Sequence, residues 1–534
     1  MRKPIARSPQ RARFSPGRAK RYAALAAAAA VVLTTGLAGC ATDTGTGSSG
    51  GAEGQVLTYG LSAEPSGFKT GVDQGSANKE MLTLVRRGLL MYDGTGEVAP
   101  ALASEYEVSD DGLTYTFTLR PDLKFSNDDP LTSADVKRTF EYLADENNGA
   151  ADQTSFANIA SIDTPDDSTV VLNLTDPQTS LPKVLAGPLS AIVPEEDVDA
   201  NGVPIGSGPF MITEYNKGVS FTLEANPNYY DADSVQLDGI DVTFMADAQT
   251  RVKALLDGQV QFIDYVSASD YESLESSDGV TLARAPGLYG TLQFNLTDGP
   301  LAEPQVRQAI AYALDLDSLN QVGTLGYGTA FGGLPVPSDS EYFNEEQAHH
   351  FDRDTDKAKD LLSEAGYPDG GFSLDLLTTS QYFGFTERAQ VIQSNLAEIG
   401  ITVNLVTGDY ANLIANGNSG NYDMLVGGPP AAINDPSSLS GAFLGGPTFV
   451  RSYGIDESLY ADLLAQGAKT PDGPERVDIY NQIGEIYLED VPFVTWGQGT
   501  VGFAYSDDVQ GFEMLSGPIV YSSVYSLSNA SIAG

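Results

Sequence analysis

Cysteine, tryptophan, histidine and basic residues are all scarce in this 534-residue chain: one Cys, one Trp, two His, and 29 Lys or Arg against 72 Asp or Glu. A single cysteine excludes an intramolecular disulfide, so stability has to come from core burial. The two histidines, His349 and His350, are neighbours in a polar stretch. They leave no His-rich metal site and only one possible base for a Ser–His–Asp triad, and they read as solvated loop residues. The formal charge of −43 repels phosphate backbones and excludes a nucleic-acid partner. There is no Gly-Lys dipeptide, hence no Walker A loop and no self-contained ATPase. Gly497-Gln-Gly499-Thr-Val-Gly502 fits G-x-G-x-x-G after a strand-like run, but no helix follows and only 32 residues remain, too few for a dinucleotide fold. Asp352, Asp354 and Asp356 imitate the start of an EF-hand, yet Lys357 stands where Gly is required and Ser363 where the bidentate Glu belongs, so these carboxylates are read as a helix cap. No metal, cofactor or catalysis is expected.

What is present begins with the leader. Residues 1–21 carry eight Lys or Arg and no acid, residues 22–33 (YAALAAAAAVVL) are apolar, and small residues lead into Leu37-Ala38-Gly39-Cys40. A basic, then apolar, then small-residue segment is an export signal. Leu-Ala-Gly-Cys resembles the bacterial lipobox, which implies removal of residues 1–39 and acylation of Cys40, so that the one thiol carries a lipid such as palmitate. The alternative is an uncleaved anchor, since the apolar stretch is only slightly short of the ~20 residues that span a bilayer. Residues 40–55 hold no large apolar side chain and read as a flexible tether. Its formal G-x-S-x-G, Gly47 to Gly51, lacks the strand–turn–helix setting of a nucleophile elbow. Without the leader, 21 basic residues remain against 72 acidic, a net of −51 on 495 residues. That length calls for two to four domains, and the surface charge suits solubility at a charged or salty cell surface.

Periodicity predicts a loop-rich mixed α/β chain. Residues 105–120 read as a hairpin about Asp111-Gly112, with Leu113, Tyr115, Phe117 and Leu119 alternating with polar residues. A helix behind a Thr/Ser cap is expected from about Ser133 to Leu143, and strands at 170–174 and 219–227. Strand, helix and strand follow over 240–266, with Gly258 as the stop, and again over 372–406; such units imply parallel pairing. Residues 306–319 read as one helix. Residues 356–366 read as another, with Ala358, Leu361, Leu362 and Ala365 inward and Gly366 as its stop.

Five stretches, in order, resemble the extracellular solute-binding protein family 5, the peptide- and nickel-binding components of ABC importers. They are EVAPALASEYEVSDDGLTYTFTLRPDLKFSNDDPLTSADV, then IGSGPFMITEYNKGVSFTLEANPNYYDAD, FNLTDGPLAEPQVRQAIAYALDLDSL, FDRDTDKAKDLLSEAGYPDGG, and the helix before GITVNL. The resemblance implies a two-lobed periplasmic-binding-protein-like fold of type II with an extra domain and a hinge. Lobe I would comprise 56–88, 205–290 and 491–534, an accessory domain 89–204, and lobe II 291–490. The crossovers would fall near Pro286–Thr291 and Asp490–Trp496. The implied function is capture of oligopeptides or similar amine-bearing solutes outside the membrane by a lipid-anchored monomer. A permease with a separate ATPase would take delivery. An oligosaccharide or other solute, or a sensory role without transport, is the alternative; scarce histidine disfavours nickel.

The resemblance also implies contact residues. Asp435, in YDMLVGGPPAAINDPSSLSGAFLGG, matches the aspartate that anchors a ligand ammonium, with Gly427 and Asn434 beside it; its other reading is a cap on the turn at Pro436. Trp496, at a crossover, is read as a cleft aromatic or as hinge packing. Tyr382 and Phe383 are cleft candidates in a loop, and Ser66-Gly67 is a backbone contact in lobe I. Arg451 is read as a surface arginine or as the receiver of a ligand carboxylate.

Overall fold

A computed structural model describes residues 55–72, 75–150, 152–200, 202–380, 384–428, 433–445 and 448–533. Cys40 and the tether before residue 55 lie outside these residues, as do Tyr382 and Phe383. No helix among the described residues is long and apolar enough to cross a membrane.

One ten-stranded sheet organises the chain. Its order is Thr402–Gly408, Ser373–Thr379, Met424–Gly427, Val280–Phe294, Phe493–Ser506, Phe262–Val266, Val56–Leu61, Gly239–Phe244, Ser220–Ala225 and Phe210–Asn216. The two long central strands, Val280–Phe294 and Phe493–Ser506, pair antiparallel along most of their length, with irregularities between Pro286 and Tyr289 and between Gly290 and Thr291. A four-stranded antiparallel sheet stands apart, in the order Ala103–Val108, Thr114–Leu119, Thr169–Leu174, Ile159–Asp166.

Buried apolar side chains gather in three large clusters. The first core joins residues 57–85 with 210–285 and 503–530. The second core spans Leu292 to Trp496, and the third core holds residues 89–192 together with the distant Ile433.

The local readings fold as their chemistry dictates. The hairpin turns at Gly112, whose φ of +68° favours glycine, and it buries Tyr115 and Phe117. The helix Ser133–Ala144 starts behind Thr132, whose N–H donates to the Asp135 carboxylate at 2.9 Å. Asp354 accepts the Asp356 and Lys357 amides at the start of Thr355–Glu364, so the EF-hand look-alike is a helix cap.

Two expectations need correction. Residues 306–319 form two helices, Pro304–Ala313 and Leu316–Thr324, because Leu314 is extended and the Asp315 side chain caps the second by accepting the Ser318 amide at 3.0 Å. A cap that satisfies new helix N–H groups makes restarting favourable. The 240–266 unit is parallel but not adjacent: Val56–Leu61 lies between Gly239–Phe244 and Phe262–Val266 and pairs with both. The 372–406 unit pairs directly, Ser373–Thr379 with Thr402–Gly408.

Candidate functional site

The carboxyl ends of Ser373–Thr379 and Met424–Gly427 reach the central strand pair. In register, Gly427 stands beside Thr291, and Thr291 beside Thr495. Ligands of open α/β sheets bind beyond the carboxyl ends of strands. Buried polar atoms lie in or beside this row: Thr291 Oγ1, both amide atoms of Gln293, Thr378 Oγ1 and Tyr289 Oη have no hydrogen-bond partner among the described residues. A buried polar group left unpaired costs about 1–3 kcal/mol, so these atoms favour a further molecule or water that completes their bonding.

Trp496 follows Thr495 and is 3 % exposed within the second core. Its indole packs so closely over Gly290 of the partner strand that a Cβ there would collide with Nε1. The Arg388 guanidinium lies 5.5 Å from the Trp496 ring, a cation–π distance. Arg388 stands in the first turn of the helix Phe385–Ala397, which follows the strand Ser373–Thr379, and its Nε donates to the Leu319 carbonyl at 3.1 Å. Among the described residues no carboxylate pairs with it. Burial lowers its pKa to about 10, with Glu387 opposing.

Asp435 is 3 % exposed. Its Oδ1 accepts from Arg476 Nη2 at 2.7 Å and from the Ser437 amide at 2.9 Å. Its Oδ2 accepts from Lys183 Nζ at 2.9 Å and Arg476 Nη1 at 3.1 Å. Burial alone would raise its pKa, but the Arg476 and Lys183 bonds and charges outweigh burial and hold it at about 2. Arg476 also pairs with Asp472 and donates Nε to the Gly467 carbonyl at 2.8 Å. Asp435 thus both caps the turn Pro436–Leu439 and carries a cation cluster.

The other named residues have definite places. Gly427 ends its strand, where a Cβ would come 3.0 Å from Gln293 Nε2. Asn434 donates Nδ2 to the Ser516 carbonyl at 2.9 Å, tying this loop to the C-terminal segment. Ser66 and Gly67 are held by Asn78, whose Oδ1 accepts the Ser66 amide at 3.1 Å and whose Nδ2 donates to the Gly67 carbonyl at 2.5 Å. Arg451 donates to the Leu444 carbonyl. His349 is exposed beside Glu345 and Asp352, and no group of three or more metal-ligating side chains occurs among the described residues.

A model of the Bacterial extracellular solute-binding proteins, family 5 Middle, matches residues 97–449. The chain belongs to this family. Family 5 proteins bind solutes rather than transform them, and this one is an extracytoplasmic substrate-binding protein of an ABC importer. The glutathione-binding protein GsiB of Escherichia coli strain K12 is 27 % identical over 462 residues, 83 % of this chain and 90 % of GsiB. Among solved structures, AgaA of A. tumefaciens R10 in complex with agropinic acid superposes with a TM-score of 0.81 at 36 % identity, over 90 % of this chain and 99 % of that one. DppA of Helicobacter pylori in complex with the peptide STSA gives a TM-score of 0.76 at 26 % identity, over 90 % and 98 %. The fold is therefore the two-lobed α/β architecture of these binding proteins, as the sequence leads one to expect. Three basic residues of these clusters escape sequence reasoning, Arg388, Arg476 and Lys183: each meets its partners through contacts distant in sequence, and no local motif marks it.

Proposed function

We propose that this protein captures a carboxylate-bearing, amino-acid-derived solute, small peptides included, between its two lobes and hands it to a permease with a separate ATPase. The lobes divide as 56–88 with 205–290 and 491–534, the accessory domain 89–204, and 291–490; the three cores support this division except that Val491, Phe493, Val494 and Trp496 pack with 291–490, Leu189 with the first lobe and Ile433 with the accessory domain. Acylated Cys40 tethers a monomer to the extracytoplasmic face, which raises its effective concentration at the permease. Closure of the lobes around the solute shifts the population toward the form a permease distinguishes from the open one.

Arg388 carries the reading. It is a guanidinium without a carboxylate partner among the described residues, stacked on Trp496 and desolvated at the carboxyl end of a sheet strand. An entering carboxylate would restore its lost hydration through charge-assisted, bidentate hydrogen bonds, each worth roughly 1.5–3 kcal/mol. GsiB is named for glutathione and AgaA is bound to agropinic acid, which agrees with an acidic ligand group. The test is titration calorimetry with glutathione, the dipeptide Met-Leu and agropinic acid. At least one binds at one-to-one stoichiometry, and Arg388→Met weakens it tenfold or more. Binding that ignores Arg388→Met refutes this assignment.

A further inference from the structure

The carboxylate of Asp435 has no acceptor position left. An ionised carboxylate offers about four lone-pair sites, and here the Ser437 amide, two Arg476 nitrogens and Lys183 Nζ fill them. Three of these donors come from elements that pack in the second core, the turn Pro436–Leu439 and the helix Pro474–Asp490. The fourth does not: Lys183 belongs to the helix Leu181–Ala186 of the third core, 252 residues away in sequence.

Charge explains why a cation is wanted there. Arg476 is shared between Asp435 and Asp472, one guanidinium against two carboxylates. Asp472 is more than half exposed and partly screened by water, while Asp435 is buried; a second cation at Asp435 brings the group of two carboxylates to neutrality. Lys183 supplies it with a partly buried side chain, 26 % exposed.

The approach of Lys183 is built in rather than incidental. Tyr92 Oη donates to the Lys183 carbonyl at 2.6 Å, fixing its backbone. The preceding loop docks on the second core as well. Thr179 donates both its amide and its hydroxyl to the Ala468 carbonyl, at 3.1 and 3.0 Å, and Lys469 pairs with Asp176 at 2.7 Å. In return Ile433, two residues before Asp435, packs into the third core.

We propose that Lys183 is a specificity-determining residue: its ammonium reaches across from the accessory domain to fill the cation position at Asp435, so that a solute held by the closed protein needs no ammonium of its own there. This rests on the reading that solute lies between the lobes. A free amine placed at Asp435 has to displace Lys183, whereas an acylated or otherwise amine-free solute does not.

The experiment compares Met-Leu with N-acetyl-Met-Leu on the wild type and Lys183→Met by calorimetry. The wild type binds the acetylated probe at least as tightly, and Lys183→Met shifts the ratio of affinities tenfold or more toward the free amine. A second measurement needs neither peptide: ethylammonium chloride raises the melting temperature of Lys183→Ala more than equal sodium chloride does, and the wild type shows no such difference. Tenfold preference of the wild type for the free amine, an unchanged ratio in Lys183→Met, or identical salt responses of Lys183→Ala and wild type would each overturn the inference. Arg388→Met separates the two ideas: if it abolishes binding while the Lys183 variants behave as wild type, the carboxylate reading stands and this one falls.

Discussion

Asp435 owes its charge to its neighbours. Burial opposes ionisation, and only the guanidinium of Arg476 and the ammonium of Lys183 bring its pKa down to about 2. A carboxyl depressed from an ordinary value near ~3.9 contributes about 2–3 kcal/mol, fully present above the ordinary value and lost as pH falls through 2. Arg476 is itself fully buried, and removing one partner of a buried pair costs about 3–5 kcal/mol. Arg476→Met is therefore expected to lower stability at pH 7 by that amount in urea unfolding. The variant should lose less than the wild type between about pH 5 and pH 2. An unaltered unfolding midpoint at pH 7 would contradict this. At this scale the sequence shows Asp435 as a cap, because Asn-Asp-Pro marks the start of the turn Pro436–Leu439. It hides the partners, since Arg476 lies 41 residues downstream and Lys183 252 residues upstream. No local pattern encodes an ion pair across such distances.

At the scale of elements, the critical contact is between the two long central strands, where Trp496 lies on Gly290. A methyl group at Gly290 forces the indole away, and overpacking of this kind costs roughly 1–3 kcal/mol. Gly290→Ala is expected to lower the melting temperature and to displace Arg388 from the Trp496 face, seen as a red shift of the single tryptophan's emission. An unshifted spectrum would show that the strand absorbs the methyl without moving the ring. Elements governed by local chemistry are legible from sequence: the hairpin at Gly112, the Thr132–Asp135 cap, the helix behind Asp354. The break at Leu314 is missed because apolar spacing continues across it while the Asp315 cap quietly restarts the helix. The insertion of Val56–Leu61 between two strands some 200 residues later is a non-local pairing that periodicity cannot express.

For the whole molecule, the ten-stranded sheet runs through the first and second cores, while the third is built on its own four-stranded sheet and touches the second through Ile433 and Lys183. The family resemblance supplies this architecture, and composition alone reaches only a long, acidic, disulfide-free α/β chain. On the proposed reading, a solute draws the two halves together around Arg388 and Trp496. Small-angle X-ray scattering of the purified protein, with and without a solute that calorimetry shows to bind, tests this most directly. The radius of gyration should fall on binding in the wild type; an identical scattering curve at saturation would contradict closure.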